Sequence, residues 1–200
     1  MRRLIQVAVL LFVVPAFAAD VIPREALRYE RDLIRNARAL WGIDAPVATF
    51  AGQIHQESRW RPDAKSIYAG GLAQFTPDTA NWISGAYARD LGENQPFNPT
   101  WALRALVVYD KHLWDRVAAR AQCDRMAFVL SGYNGGPGWV DRDKKLAASR
   151  GADPLRWFGN VELHSSRSLA AFKENRDYPR KILLRWQALY VLWGPGVLCP

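Results

Sequence analysis

Glu57 is the residue whose type and position offer chemistry most directly. At about 100° per residue on a helix, Val47, Phe50, Ala51, Ile54 and Ser58 share one face, and Glu57 sits at its edge. A carboxyl at the margin of an apolar stripe is partly withdrawn from water, which disfavours the carboxylate and raises the pKa. The C-terminal end of a helix carries partial negative charge that pushes the same way. An acid kept neutral near working pH can protonate a leaving oxygen, which is the task of a general acid. A Glu on a surface helix is more often simply solvated, so periodicity alone leaves both readings open. Pro62 and Asp63 are expected to stop the helix.

The elements that must position Glu57 can be read in outline. A helical pattern runs from Ile22 to Leu40, with Leu27, Leu33, Ile34 and Ala37 recurring at three- and four-residue steps. Trp41 to Pro46 breaks it, and Pro46 opens the Glu57 helix. After the Gly70-Gly71 turn, a short helix is expected from Pro77 to Tyr87, with Thr76 as N-cap. Asn98 or Thr100 caps a long helix from Trp101 to about Ala121, and another follows from about Cys123 to Gly132. Tyr133 to Gly138 holds three Gly and one Pro, so a loop is expected there. The last helix is expected over about Tyr178 to Leu192. No internal repeat and no sustained period-two pattern appears. The expectation is a mainly α single domain with little or no sheet.

Composition narrows the class. Of 200 residues, 50% are hydrophobic and 23% charged, which is globular rather than disordered. Residues 1–18 read as a secretory signal peptide: a basic Met1-Arg2-Arg3, an apolar Leu4 to Val14, then Pro15-Ala16-Phe17-Ala18 with cleavage after Ala18. The apolar run is too short for a membrane span, which needs roughly 20 residues. No Cys stands at the cleavage site to carry a lipid, so no stable membrane anchor is expected and the protein is periplasmic or secreted. Losing Arg2 and Arg3 lowers the formal charge from +8 to +6. The Lys and Arg residues are scattered, and acids interleave the run Asp141 to Lys145, unlike the stripe of a nucleic-acid groove. Two cysteines, Cys123 and Cys199, fit one internal disulfide in an oxidising compartment; free thiols or an intermolecular bridge are the alternatives. No Cys/His cluster has metal-ligand spacing. The protease motifs G-x-S-x-G and H-E-x-x-H are absent.

Three ordered blocks carry a resemblance. Glu57-Ser58 is followed by Trp60, Pro62, Ala64 and Ser66, then by Gly71-Leu72-Ala73-Gln74-Phe75-Thr76-Pro77 with Thr79-Ala80. Ser131-Gly132-Tyr133-Asn134-Gly135-Gly136-Pro137-Gly138-Trp139-Val140 comes second, and Glu174-Asn175-Arg176-Asp177-Tyr178, running into Lys181-Ile182, comes third. Together they resemble the soluble lytic transglycosylase family, whose catalytic domain is similar to goose-type lysozyme. Four departures stand out. Ala73 replaces the usual Met and would widen a subsite. The loop from Ser66 to Gly71 is one residue short. Gly132 replaces an Ala, and Gly135 stands where Ala is commoner.

The resemblance implies a peptidoglycan-cleaving enzyme with no cofactor and no metal. Glu57 would be acid and then base, with no second carboxylate; Asp63 and Asp78 read better as turn residues. Ser58, Gln74, Phe75, Tyr133, Asn134 and Tyr178 would meet the substrate or the acid. Ser58 would hold a carbonyl or the sugar, or else bond only its own helix. Gln74 would face the acetamido group, or else satisfy backbone. Phe75 would stack on a sugar face. Tyr133 and Asn134 would read the N-acetyl group. Tyr178 would hydrogen-bond Glu57, or else be a core aromatic. Trp60, Trp114 and Trp186 are expected in the core. The expected partners are glycan strands, met by a monomer, with a secretion, conjugation or phage system as candidate setting. A hydrolytic lysozyme on the same scaffold and a non-catalytic wall-binding component are the competing readings.

Overall fold

The computed structural model describes residues 20–199. The expected signal peptide therefore lies outside the described residues.

Helix α2 (Val47–Ser58) is the axis of the core, with ten of its twelve residues buried. Its small and apolar residues allow helices to close on it from several sides. Helix α1 (Glu30–Trp41) packs on α2 and on the long α5 (Pro99–Arg116). Helices α3 (Pro77–Ala86) and α4 (Ala88–Leu91) lie between the Gly-rich turn and α5. Next, α6 (Gln122–Gly135) contacts α5, α7 (Pro137–Ser149) and α8 (Leu169–Lys181). A π-turn at Ile182–Trp186 and a 3-10 turn at Gln187–Tyr190 carry the chain back across α2. Among the described residues there is no strand, only the isolated bridges Lys65–Gly70 and Gly70–Phe75. The mainly α architecture expected from the sequence is the one observed.

Capping residues set several helix ends. Thr76 caps α3, its hydroxyl accepting from the Thr79 N–H at 3.2 Å, with Pro77 at the first position. Asn98 rather than Thr100 caps α5, accepting from the N–H of Thr100 and of Trp101. Helix α2 ends at Ser58, before Pro62, because Arg59 and Trp60 both take left-handed φ angles of 53° and 65°. That reversal drives Trp60 into the core. There its ring N–H donates to the Tyr190 hydroxyl at 2.7 Å, beside Trp193. Trp186 is also buried, and Trp114 is partly so.

Other expectations are corrected. The first helical segment is a 3-10 turn (Arg24–Arg28) followed by α1, and Leu27 is 60% exposed. The long helix stops at Arg116 rather than Ala121, where Val117 turns extended. Tyr133 to Gly138 is not a loop. Tyr133–Gly135 close α6, Pro137–Gly138 open α7, and only Gly136 breaks the path with φ 89°. Gly just past one helix and Pro at the start of the next punctuate helix ends rather than abolish helices. The last helix begins at Leu169, capped by Ser168, and becomes a π-turn after the internal Pro179. Proline withdraws a backbone donor there, and the helix loses its regular ladder.

Cys123 and Cys199 form an internal disulfide, tying the C-terminal segment to α6. By loop-closure entropy a bridge this long contributes about 4 kcal/mol.

Candidate active site

A cleft of about 390 Å³ opens where α2 ends, with Glu57 on its wall. Glu57 is only partly exposed, and Tyr178 of α8 donates its hydroxyl to Glu57 Oε1. Burial pushes the Glu57 carboxyl up to about 8; the Tyr178 hydrogen bond opposes this, and the charge of Glu174 adds to it. No cation contributes. The acid is therefore protonated across most of the physiological range and able to donate.

The other expected residues divide. Gln74, Phe75, Tyr133 and Asn134 line the cleft together with Glu57. Gln74 holds a left-handed φ of 48°, and its amide donates to the carbonyls of Gly71 (2.8 Å) and Ala64 (3.0 Å). Its amide nitrogen thus fixes the turn. That turn seats Gly71 so tightly that a Cβ there would stand 1.8 Å from the Pro96 carbonyl oxygen. Phe75 is 3% exposed and packs edge-on to Trp101 and beside Tyr109 and Tyr133. It offers only a margin to the cleft, because the apolar wall needs it more than the opening does. Tyr133 donates to the Ala73 carbonyl at 2.7 Å. Ala73 itself is fully buried and does not line the cleft, so its small size opens no subsite there.

Asn134 accepts from Asn175 Nδ2 at 2.9 Å. Asn175 is 1% exposed; it also donates to the Ser131 carbonyl and accepts from Ser131 Oγ and Arg176 Nη1. A satisfied buried amide thus orients a cleft residue. Ser58 is not brought to the cleft: it is 2% exposed and its hydroxyl donates to the Ile54 carbonyl one turn back. Tyr178 lines a smaller recess with Glu57, Gln56 and Lys181 on the α8 side. Burial and the nearby Glu57 push its own phenol well up, so it remains a donor. The shortened Ser66–Gly71 loop closes as a turn in which Ser66 Oγ accepts from the Tyr68 and Ala69 N–H groups. That turn sets Tyr68 against the cleft.

Sequence reasoning missed two acids. Glu174, exposed on α8, shares the cleft with Glu57. Asp110 on α5 is fully buried, touched only by Gln53 Nε2 at 3.4 Å, with its other oxygen unpartnered. Burial pushes its carboxyl well up. Asp110 does not line the cleft; its position one helical step from apolar Leu106, Val107 and Leu113 was the available signal. Among the described residues no group of acids, His and Cys is arranged to hold a metal.

Residues 32–155 match the model of the transglycosylase SLT domain, well over half of the chain. The chain belongs to this family. The SLT match ends before α8, so Tyr178 and Glu174 lie beyond it. Relatives include the membrane-bound lytic murein transglycosylase F of Marinobacter nauticus, 34% identical over 52% of this chain and 19% of that protein. The protein of the same name from Vibrio cholerae is 32% identical over 54% of this chain and 19% of its own length. That of Shewanella pealeana is 30% identical over 54% and 21%. The SLT chain thus aligns with about a fifth of the length of these curated relatives. No described helix of the SLT chain is long and apolar enough to cross a membrane.

Proposed function

We propose that residues 19–200 form an exported catalytic domain that cleaves the β-1,4 bond between N-acetylmuramic acid and N-acetylglucosamine in peptidoglycan. Glu57 protonates the glycosidic oxygen, and the C1–oxygen bond breaks. The acetamido group of the muramic acid stabilises the positive charge developing at C1. Glu57, now a carboxylate, takes the proton of the C6 hydroxyl as that oxygen bonds to C1. The product carries a 1,6-anhydro end, and Glu57 regains its proton. The observation that carries this reading is the state of Glu57: an acid pushed to about 8 by burial, held by Tyr178, on the wall of a cleft. The relatives, lytic murein transglycosylases by name, support the same substrate.

One observation favours a second reading, a hydrolytic muramidase. Glu174 faces the same cleft and could activate water in place of the C6 hydroxyl. Mass analysis of products from purified peptidoglycan separates the readings. Anhydro-ended fragments, one water lighter than hydrolysis products, released by the wild type and not by Glu57→Gln, are expected. Reducing ends that vanish in both Glu57→Gln and Glu174→Gln would replace the first reading by the second. No release at all, with wall binding intact, would leave a non-catalytic binding component.

A further inference from the structure

A second cavity of about 390 Å³ adjoins the cleft and shares Asn134 and Glu174 with it. Its other walls are Gly135, Trp139, the Ser166–Ser168 segment and Ala171. Arg167 is the notable lining residue. Its side chain is 5% exposed, yet Nε and Nη2 have no hydrogen-bond partner. The nearest acid, Asp143, is already taken: Arg176 Nη2 donates to Asp143 Oδ2 at 2.7 Å, and Ser165 Oγ donates to Oδ1 at 2.7 Å. Arg167 Nε stands 3.8 Å from the same Oδ2, too far for a hydrogen bond. With two arginines facing one aspartate, Arg167 is left without a hydrogen-bonded acid.

The surroundings hold that charge in place. The Arg167 guanidinium lies 5.0 Å from the Trp139 ring centroid, which also has Arg142 at 4.7 Å. Ser168 caps α8 at the cavity, so the positive end of a 13-residue helix faces the same space. Burial pushes the Arg167 pKa down, Asp143 opposes this, and the charge of Arg176 adds to it. The position of the guanidinium also depends on Gly135, where a Cβ would stand 2.1 Å from Arg167 Nη1. Gly135 replaces the commoner Ala of the family pattern. This departure and Arg167 thus form one coupled feature.

We propose that this cavity is a subsite for a carboxylate of the substrate's stem peptide, bound by the Arg167 guanidinium. The proposal rests on the reading of the cleft as a peptidoglycan site. A strand lying past Glu57 and Asn134 carries a peptide on every muramic acid, and the adjoining cavity receives it. An arginine fork suits a carboxylate, and a desolvated one discriminates strongly against a neutral isostere. Replacing Arg167 leaves Asp143 paired with Arg176 and Ser165, so no buried charge is orphaned by the change.

The test is calorimetric binding to the Glu57→Gln protein, which does not depend on turnover. The probes are N-acetylglucosaminyl-N-acetylmuramyl tetrapeptide, the same disaccharide without peptide, and the tetrapeptide form with its carboxylates amidated. The tetrapeptide form is expected to bind about 10-fold or more tighter than the other two. Adding Arg167→Gln should erase that preference and leave the peptide-free disaccharide within about 2-fold. Amidation alters the ligand rather than the protein, so its arm decides even where Arg167→Gln folds poorly. Binding of all three probes with equal affinity would overturn the subsite and leave the glycan reading standing. A preference that survives Arg167→Gln would overturn the role of Arg167. Binding of none would overturn the peptidoglycan reading itself.

Discussion

Asp143 and Glu57 are both withdrawn from water, and the fold treats them oppositely. Asp143 on α7 is 1% exposed and meets Arg176 at 2.7 Å, with Arg167 beyond and Ser165 donating. Glu57 on α2 meets only the Tyr178 hydroxyl, and no cation moves its pKa. A buried carboxylate matched by arginine is structural: it ties α7, α8 and the Val161–Leu163 turn together. A carboxyl denied an arginine keeps its proton, and the kept proton is what a general acid needs. The two regions touch through Arg176, Asn175 and Asn134, so the rigid ionic cluster holds one wall of the reactive cleft.

The largest effect on stability is expected where the ionic cluster is broken. Arg176→Met leaves Asp143 buried with Arg167 out of hydrogen-bond range, and strips donors from the carbonyls of Glu162 and His164. A loss of about 3 to 5 kcal/mol is expected, read as a fall in Tm of about 10 °C. A fall of under about 2 °C would show that the cluster does not hold α7 and α8 together.

The opposite sign is expected at Glu57. Its folded pKa of about 8 lies above the ordinary value of 4.5, so between these the folded state binds more protons than the unfolded. Stability therefore falls as pH rises through that window. Glu57→Gln cannot titrate and should escape the fall, gaining roughly 4 kcal/mol near pH 8 and nothing below pH 4. Thermal melts of both proteins across pH check it. A constant difference at all pH values would mean that the carboxyl is not held neutral.

This contrast was half legible in the sequence. Glu57 could be found because its partners in burial, Phe50 and Ile54, lie on the same helix at local spacing. Thr76 and Asn98 announced helix starts for the same local reason. Asp143 stands in a run of interleaved charges that reads as solvated, and its partner Arg176 lies 33 residues away. Only the spacing Val140, Asp143, Ala147, all buried on one face of α7, carried a trace of its position. The Tyr133–Gly138 stretch misled because Gly and Pro were weighed by number. Their order, a Gly after one helix and a Pro opening the next, was the signal. Ser58 illustrates the reverse: both its readings were open, and the hydroxyl bonds its own helix.

A smaller effect is expected from the one hydrogen bond that Glu57 receives. Tyr178→Phe removes the influence that lowers its pKa, so the alkaline limb of kcat/KM should move up by about one unit. With the carboxyl no longer held in place, the plateau should fall about 10-fold. A limb that moves down instead would mean that the phenol acts on Glu57 by something other than stabilising its carboxylate.

The smallest effect is expected at Asp110, and it tests whether burial alone sets the acid. Asp110 lies in the interior near Glu57; burial first, and then the Glu57 charge, raise its pKa. Buried so, Asp110 keeps its proton. A neutral carboxyl and an Asn side chain are nearly the same shape, and both can accept from Gln53. Asp110→Asn should thus change stability by less than about 0.5 kcal/mol and leave the kcat/KM limb near pH 8 in place. A downward move of the limb by a full unit would show Asp110 ionised, its charge helping to lift Glu57. The neutrality of the acid would then come from a second carboxylate rather than from the apolar wall of α2.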